Sequence, residues 1–287
     1  MQILDGKQCA LQIKESLKID IENNFIKKGF RAPKLVVIMV GNNPASHVYV
    51  SGKAKACAQV GMDSQIFYLE ETTTELELEK LIKNLNKDNS VDGILLQLPV
   101  PDHIDGQKMI ELISPDKDVD GLTKANLGKL VANDMTGLFG CTPSGVIELL
   151  KHNNIDLKSK DVVIINRSLL VGKPLAFMFL NENATPIMAH SKTNALAEKT
   201  RNADIVVVAV GKKNFLTEDM VSEKTIVVDV GINRDQTTNK ICGDVDFENV
   251  SKKVSWITPV PGGAGPMTIA MLLKNTYKTA LNKIKRN

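Results

Sequence analysis

The first chemically suggestive feature of this sequence is a tyrosine, Tyr49, four residues before a lysine, Lys53. Residues four apart lie on one face of a helix, so a phenol and an amine would be neighbours there. Burial favours a neutral lysine and a nearby cation favours a phenolate, which suits such a pair to acid–base chemistry near neutral pH. Tyrosine and lysine at this separation are common, however, and spacing alone favours a solvated lysine beside a packed tyrosine.

The elements that position this pair belong to a chain of 287 residues, which predicts two domains of roughly 130 to 150 residues each and a cleft between them. With 36 basic and 33 acidic residues the net charge is only +3, and the lysines are scattered along the chain. This distribution argues against a nucleic-acid surface and favours a small anionic ligand.

Cysteine usage and hydropathy bear on the location of the protein. The four cysteines, at positions 9, 57, 141 and 242, are far apart and form no Cys-x-x-Cys unit, which argues against a metal site or a disulfide framework and predicts reduced thiols. No apolar run approaches the ~20 residues of a membrane span, and the first residues lack a signal-peptide core. The sequence thus predicts a cytoplasmic protein with no membrane partner.

Helical and extended patterns alternate in the first half of the chain. The predicted elements are a helix over 10–25, strands at 35–40, 64–69 and 91–97, a helix carrying Tyr49 and Lys53 after a turn at 41–44, and a helix from Thr74 to about Asp88. The strand at 35–40 is continuously apolar, as expected for a parallel strand covered on both faces. The third strand carries Gln97 at its carboxyl end, just before Leu98 and Pro99.

A second alternating series follows Thr142 and Pro143. It predicts a helix to about His152, strands at 162–165, 186–188, 205–208 and 226–229, a helix beginning near Gly172 and a final helix from about Met267. This alternation is the signature of a doubly wound parallel sheet. The predicted fold class is therefore α/β, with two α/β domains flanking a cleft and a Rossmann-like second domain.

The segment from Asn166 to Pro174 joins a predicted strand to a predicted helix, so its backbone N–H groups are expected to face the crevice above the sheet, where anions bind. Arg167 offers a planar fork to a phosphate and Ser168 a hydroxyl, while Ser191 follows the next strand at the same edge. No acidic residue follows that second strand, and these donors favour NADP over NAD.

Other residues of this half allow two interpretations. The alternative for Arg167 is a helix cap or an ion pair with a carboxylate, and His190 is more often a satisfied loop histidine than a catalyst. Ile232, at the end of a further strand, is expected to touch the adenosine or nicotinamide side of the cofactor. The loop at 258–268 holds three glycines and three prolines, which predicts a stiff loop that a ligand can approach closely or, alternatively, a plain linker.

A series of motifs runs through the chain in one order. They are Tyr49-x-x-x-Lys53 and the segments Gly93–Pro99, Lys117–Gly121, Arg167–Ser168, His190–Thr193 and Pro261–Gly263. Together they closely resemble the bifunctional methylenetetrahydrofolate dehydrogenase/cyclohydrolase family. The likeness extends from Leu4 to the final helix, and several motifs in series are far more specific than any one of them.

The resemblance implies an N-terminal folate-binding catalytic domain at residues 1–140, completed by a C-terminal helix at 267–287, and an NADP-binding domain at 141–266. It also implies a homodimer. The implied activities are the NADP-dependent oxidation of 5,10-methylenetetrahydrofolate to the methenyl compound and the hydrolysis of that compound to 10-formyltetrahydrofolate.

Residue by residue, the resemblance implies that Lys53 is the catalytic lysine, Tyr49 its stacking and orienting partner, and Gln97 the amide that holds Lys53. Asp120 would grip the pterin, whose amine and adjacent ring nitrogen form a donor pair that fits a carboxylate. Asp118 would point away or stabilise the turn. The implied substrate-binding residues also include Leu98, Pro261, Gly262 and Gly263.

One departure from the family pattern falls at the cofactor. Asn166 stands where the pattern has glycine before Arg-Ser, so we expect weakened or repositioned NADP rather than lost binding. Two alternatives remain for the function. A short-chain dehydrogenase also uses Tyr-x-x-x-Lys, but it places its nucleotide loop first and the pair after it. A folate-binding or nucleotide-sensing protein without redox turnover is the other, and Asn166 is its only support.

Overall fold

The structure is a computed structural model that describes residues 1–235 and 239–286. The chain divides into two compact units, which we name after their sheets. The six-stranded unit comprises Met1–Leu11 and Gly140–Thr268, and the three-stranded unit comprises Gln12–Phe139 and Ile269–Asn287. The last residue of the predicted C-terminal helix, Asn287, lies outside the described residues.

The regular elements follow the predicted alternation. In chain order they are β1 (Gln2–Ile3), α1 (Gly6–Asn24), β2 (Lys34–Val40), α2 (Pro44–Val60), β3 (Asp63–Leu69), α3 (Glu75–Lys87), β4 (Gly93–Leu96), α4 (Gly106–Glu111), α5 (Lys124–Val131), α6 (Cys141–His152), β5 (Asp161–Ile165), α7 (Gly172–Asn181), β6 (Thr185–Ala189), α8 (Leu196–Asn202), β7 (Ile205–Val208), β8 (Ile226–Asp229), β9 (Asn233–Arg234), β10 (Ile241–Cys242), α9 (Phe247–Val250), β11 (Trp256–Ile257) and α10 (Ala264–Arg286).

Helix α3 shows how closely local sequence sets an element's ends. The hydroxyl of Thr74 accepts the N–H of Glu77 at 3.3 Å, and the carboxylate of Glu77 accepts the N–H of Thr74 at 2.9 Å. This capping box satisfies N–H groups that have no partner inside the helix. The helix ends at Lys87, before Asp88, so the predicted range is confirmed.

The three-stranded sheet has the order β3-β2-β4, with all strands parallel. The central strand β2 is buried from Leu35 to Val40, as predicted for a strand covered on both faces. Ile38 of β2 is in register with Leu96 of β4, and Gln97 donates its N–H to the carbonyl of Ile38 at 2.8 Å. The turn into α2 and the residue after β4 therefore lie at the same carboxyl edge.

The six-stranded sheet has the order β1-β11-β8-β7-β5-β6, and each neighbouring pair is parallel. From β5 the chain first adds β6 on one side and then places β7 on the other. Strand order thus reverses between β5 and β7, and ligands of doubly wound sheets bind beyond the carboxyl ends of the strands at such a point. The loops after β5 and β7 are therefore the first place to seek a nucleotide.

The N-terminus departs from the predicted division at residues 1–140. Strand β1 pairs with β11, with Gln2 in register with Trp256, and Leu4 donates its N–H to the carbonyl of Ile257 at 2.9 Å. The first eleven residues consequently belong to the six-stranded unit. A two-residue strand at a sheet edge has almost no periodicity of its own, because only its pairing makes it a strand.

Candidate active site

The predicted catalytic lysine lies on α2 and meets the amide predicted to hold it. The Nζ atom of Lys53 donates to Oε1 of Gln97 at 2.8 Å, and Nε2 of Gln97 donates to the carbonyl of Leu98 at 2.6 Å. The second bond fixes the orientation of the Gln97 amide. Because its nitrogen donates to Leu98, its oxygen faces Lys53. Lys53 and Gln97 are both partly buried, so the amine is held but remains accessible.

Tyr49 lies one turn before Lys53 on α2, and its side chain is 43% exposed. An exposed ring can stack on a flat ligand, whereas a core tyrosine cannot, and this argues against the packed-tyrosine interpretation. One turn after Lys53, Cys57 is buried, which raises the pKa of its thiol to about 12. That thiol stays protonated and does not compete with the amine.

The two aspartates of the Lys117–Gly121 segment have different surroundings. Asp118 is buried, and its carboxylate accepts the N–H groups of Leu122 at 3.1 Å and Thr123 at 2.8 Å. It therefore stabilises the turn, as predicted. Asp120 is partly exposed, so its carboxylate is the more accessible of the two to a ligand.

Two residues that sequence reasoning missed hold this segment in place. Lys117 is buried, and its Nζ donates to the carbonyls of Leu85 at 2.8 Å and Asp88 at 2.6 Å, at the end of α3. Burial lowers the pKa of Lys117 to about 8. Asn275 of α10 donates to the carbonyl of Val119 at 2.8 Å. The carbonyls at the end of a helix need outside donors, but nothing in the sequence says which residue supplies them.

In the six-stranded unit, Asn166 turns its side chain into its own loop. Its Nδ2 donates to the carbonyl of Ala209, and its Oδ1 accepts the N–H groups of Ser168 at 2.7 Å and Gly172 at 3.0 Å. The side chain therefore occupies two of the N–H groups that were expected to face an anion. It also joins the loop after β5 to the loop after β7, where the strand order reverses.

Arg167 and Ser168 are both exposed at the carboxyl end of β5. The hydroxyl oxygen of Ser168 accepts the N–H of Val171 at 3.1 Å, so this side chain also shapes the turn into α7. Arg167 presents its guanidinium to solvent at the same edge. Of the two, the arginine is the stronger candidate for a phosphate, because its planar fork matches phosphate oxygens.

The turn after β6 carries Ser191 at an exposed position. His190 closes this turn: its backbone N–H donates to the hydroxyl of Thr193 at 2.9 Å, and its Nδ1 accepts the N–H of Lys192 at 3.1 Å. The structural interpretation of His190 is thus confirmed. Ile232, after β8, is 51% exposed, which leaves its side chain accessible to a ligand.

The glycine–proline loop after β11 packs closely on its own unit. The carbonyl of Gly262 accepts the N–H of Lys7 at 2.9 Å, and Gly262 has a φ of 118° that favours glycine. Gly263 is buried, and a Cβ there would lie 2.7 Å from Cβ of Thr258. The missing side chain of Gly263 accommodates the protein itself, whereas Pro261 is exposed.

The predicted residues therefore form separate groups within the two units. Tyr49, Lys53, Gln97, Leu98 and Asp120 belong to the three-stranded unit, whereas Asn166, Arg167, Ser168, Ser191, Ile232, Pro261, Gly262 and Gly263 belong to the six-stranded unit. In the part of the chain that the structure describes, three or more His, Cys, Asp or Glu side chains nowhere gather as metal ligands. A membrane-crossing helix is likewise not found within residues 1–235 and 239–286.

Two family models match the chain. The catalytic domain of tetrahydrofolate dehydrogenase/cyclohydrolase matches residues 4–120, and the NAD(P)-binding domain of the same family matches residues 140–284. Lys53 and Gln97 fall within the catalytic-domain match, and Arg167 and Ser168 fall within the NAD(P)-binding match.

Similar proteins extend over the full chain. Bifunctional protein FolD of Campylobacter hominis is 51% identical over 286 residues, which cover 100% of this chain and 99% of that protein. The crystal structure of the bifunctional FolD methylenetetrahydrofolate dehydrogenase/cyclohydrolase from Campylobacter jejuni has a TM-score of 0.96 and 53% identity, and covers 99% of each chain. A Trypanosoma brucei FolD structure, complexed with NADP cofactor and inhibitor, has a TM-score of 0.93 and 33% identity, and covers 99% of this chain and 98% of that one.

These likenesses confirm the predicted α/β fold and favour the predicted dehydrogenase/cyclohydrolase over the short-chain dehydrogenase and the non-redox binding protein. They agree with the geometry, in which a held lysine lies at one sheet edge and phosphate-binding candidates lie at another. The chain belongs to the tetrahydrofolate dehydrogenase/cyclohydrolase family.

Proposed function

We propose that this chain oxidises 5,10-methylenetetrahydrofolate to 5,10-methenyltetrahydrofolate with NADP and then hydrolyses the methenyl compound to 10-formyltetrahydrofolate. The observation that carries the proposal is the hydrogen bond from Lys53 to Gln97, at 2.8 Å, in the part of the chain that matches the family's catalytic domain. An accessible amine fixed by an amide is what the hydrolytic step needs.

The folate side is formed by groups of complementary shape and charge. The carboxylate of Asp120 accepts the pterin's exocyclic amine and adjacent ring nitrogen, a donor pair that matches its two oxygens. The exposed ring of Tyr49 stacks on the flat heterocycle. Leu98 adds apolar contact beside Gln97. Pro261, Gly262 and Gly263, in the loop after β11, are proposed as substrate-binding residues on the family resemblance alone.

Lys53 handles the proton of the hydrolytic step. Water adds to the methenyl carbon, and the amine of Lys53 takes the proton that the water loses. The same proton then goes to the departing ring nitrogen as the carbon–nitrogen bond breaks. The hydroxyl on the carbon loses its own proton to solvent and becomes the carbonyl of the formyl group on the other nitrogen. Gln97 holds the amine toward the reacting carbon, and a neutral amine at this position avoids repulsion of the cationic substrate.

The donor set at the six-stranded edge fits NADP. When bound, the cofactor accepts the hydride from the methylene carbon. Arg167, Ser168 and Ser191 provide cationic and hydroxyl donors for its phosphates, and Ile232 contacts its adenosine or nicotinamide side. Between Ala189 and Asn194 the chain has no carboxylate, a group that an NAD site would use for the ribose and that would repel a 2′-phosphate.

The function is tested by incubating the purified protein with methylenetetrahydrofolate and NADP and following NADPH and the methenyl absorbance. We expect both to rise together, and then the methenyl signal to fall as 10-formyltetrahydrofolate accumulates. A protein that reduces simple carbonyls with NADPH but leaves the folate unchanged would instead be a short-chain-dehydrogenase-like enzyme.

Replacing Arg167 with methionine should raise the KM for NADP by about ten-fold or more, because a charged hydrogen bond to phosphate contributes about 1.5–3 kcal/mol. The KM for NAD, which lacks the 2′-phosphate, should change less. Steady-state kinetics with both cofactors measure this difference. Lys199→Met is the control, since Lys199 is an exposed cation on α8. An equal rise in the KM for NADP and in the KM for NAD would show that Arg167 does not bind the 2′-phosphate.

Asn166→Gly should lower the KM for NADP by about three- to ten-fold, the effect of one or two neutral hydrogen bonds. The change frees the N–H groups of Ser168 and Gly172, which the asparagine now occupies. Cofactor titrations of the two proteins give the comparison. An unchanged KM would mean that the asparagine costs the cofactor nothing.

We also propose a homodimer located in the cytoplasm. Strand β6 is an outer strand of its sheet, and Ile187 and Met188 on it are exposed, which is unusual for a parallel strand and suits burial against a second copy. The four cysteines, all among the described residues, are thiols rather than disulfides, as a reducing compartment favours. Light scattering of the purified protein tests the dimer, with Met188→Lys as the variant expected to dissociate it.

A further inference from the structure

Two buried acids, Asp229 and Asp244, lie at the carboxyl edge of the six-stranded sheet. Their exposed fractions are 3% and 0%. Burying a carboxylate is costly unless hydrogen bonds satisfy it, so the donors around these groups show what they hold in place. Neither residue belongs to the proposed set of ligand contacts.

The carboxylate of Asp244 accepts hydrogen bonds from two separate segments of the chain. Its Oδ2 accepts the N–H groups of Val210 at 2.5 Å and Gly211 at 3.0 Å, and its Oδ1 accepts the N–H of Lys212 at 2.8 Å. These three residues follow β7 after one intervening residue, Ala209. Oδ1 also accepts Nδ2 of Asn233 at 2.8 Å, which lies in β9 beyond the end of β8. One side chain thus fixes three consecutive backbone amides and ties them to the next loop.

Asp229, the last residue of β8, in turn holds the backbone of Asp244 in place. Its carboxylate accepts the N–H groups of Asp244 at 3.0 Å, Val245 at 2.9 Å and Gly231 at 2.9 Å. Burial raises the pKa of Asp229 to about 6, and the nearby charge of Asp244 adds to this. The two acids therefore repel each other and are held together by backbone donors.

The surrounding backbone leaves room for these carboxylates only because glycines lie against them. A Cβ at Gly231 would lie 2.2 Å from Cγ of Asp244, and a Cβ at Gly243 would lie 1.9 Å from Oδ2 of Asp229. Contacts below 3.0 Å force the structure to shift. Glycine at both positions therefore provides the space that the two buried carboxylates occupy.

The loop that Asp244 holds lies at the point where the strand order reverses. Strands β5 and β7 are neighbours, and the carbonyl of Ala209, just after β7, accepts Nδ2 of Asn166, just after β5. Ligands of doubly wound sheets bind in the crevice at this point. The segment Val210–Lys212 therefore forms one wall of that crevice.

We propose that Asp244, seated by Asp229, is a positioning residue for the cofactor: it fixes the backbone of Val210–Lys212 and so sets the affinity for NADP without touching NADP. The inference rests on the proposed cofactor site. Its physical basis is preorganisation, since a loop that is already ordered loses less conformational entropy when its ligand binds.

Asp244→Asn tests the proposal, because asparagine keeps the size of the side chain but replaces one acceptor oxygen with a donor. At least one amide among Val210–Lys212 then loses its acceptor. In the cofactor-free protein we expect faster hydrogen exchange at these amides, measured by mass spectrometry. The Kd for NADP, measured by titration calorimetry, should rise about ten-fold or more. The cyclohydrolase rate without NADP should fall by a smaller factor.

The matched control is Asp246→Asn, two residues away, whose carboxylate accepts Nδ2 of Asn249 outside this network. It should leave both the exchange and the Kd within two-fold of the wild type. If Asp244→Asn fails to fold, Asn233→Ala is the variant that tests the proposal. It removes one hydrogen-bond donor to Asp244, and the Kd for NADP should rise about three-fold. In either variant, unchanged exchange and unchanged affinity would overturn the proposal. A wild-type protein that does not bind NADP would instead overturn the proposed cofactor site and this inference with it.

Discussion

Replacing Lys53 with methionine lowers the cyclohydrolase rate by about 10²- to 10⁴-fold, the range for loss of a positioned acid–base group. The methionine keeps the length of the side chain but can neither take a proton from water nor return one to the ring nitrogen. Folate binding should change far less, because Tyr49 and Asp120 remain. Hydrolysis of the methenyl compound and equilibrium binding of tetrahydrofolate measure the two effects separately.

Lys55→Met is the matched control, since Lys55 is exposed on the same helix and two residues further on. It should hydrolyse the methenyl compound at nearly the wild-type rate. Gln97→Leu should fall between the two, because it leaves the amine of Lys53 in place but removes the acceptor at 2.8 Å. Normal hydrolysis by the Lys53 variant would remove this amine from the mechanism.

Asp92→Asn should lower the free energy of unfolding by about 3 kcal/mol. Asp92 is fully buried, and its carboxylate accepts both Nη atoms of Arg31, at 2.6 and 2.9 Å, and Nζ of Lys283 at 3.0 Å. Removing one side of a buried ion pair leaves cations without their partner. The expected loss is at the low end of the usual range because the side chain of Arg31 is 44% exposed. Urea unfolding monitored by circular dichroism gives the difference.

The same variant has a predictable pH dependence. Burial opposes ionisation of Asp92, but the hydrogen bonds from Arg31, the N–H of Lys34 and Lys283 outweigh it, so the pKa of Asp92 is lowered. A lowered carboxyl pKa stabilises the fold above the ordinary aspartate pKa of about 3.9, and this stabilisation is lost as the pH falls through the lower value. The difference in the free energy of unfolding between the wild type and Asp92→Asn should therefore disappear in acid. Asp102→Asn changes an exposed position, and it should have the same free energy of unfolding as the wild type throughout the pH series.

Local sequence was sufficient for most of the fold. The continuous apolar run of β2 and the capping residue Thr74 each determine their element through neighbouring residues, so periodicity and caps predicted them. Strand β1 was missed because two residues have no periodicity, and only the pairing of Gln2 with Trp256 makes them a strand. Such long-range pairing is invisible in a single segment.

The candidate site shows the same limit at the level of side chains. The bond between Lys53 and Gln97 was expected because the resemblance names both residues. The direction of the Asn166 side chain was not, since it depends on the carbonyl of Ala209, which lies in the loop after a different strand, β7. Asp244 was missed for the same reason. A Gly-Asp pair is typical of a turn, and only the fold shows that the carboxylate accepts the backbone N–H of Val210.

Isotope tracing of both steps in one reaction tests the central claim, that this chain transfers a hydride from the folate and then adds water to the same carbon. The substrate is methylenetetrahydrofolate with two deuterium atoms on its bridging carbon, supplied with NADP in ¹⁸O-labelled water. We predict one deuterium in NADPH, the other on the formyl carbon of 10-formyltetrahydrofolate, and ¹⁸O in that formyl group. Mass spectra that show no deuterium in the nicotinamide, or a formyl group without the label from water, would contradict the account.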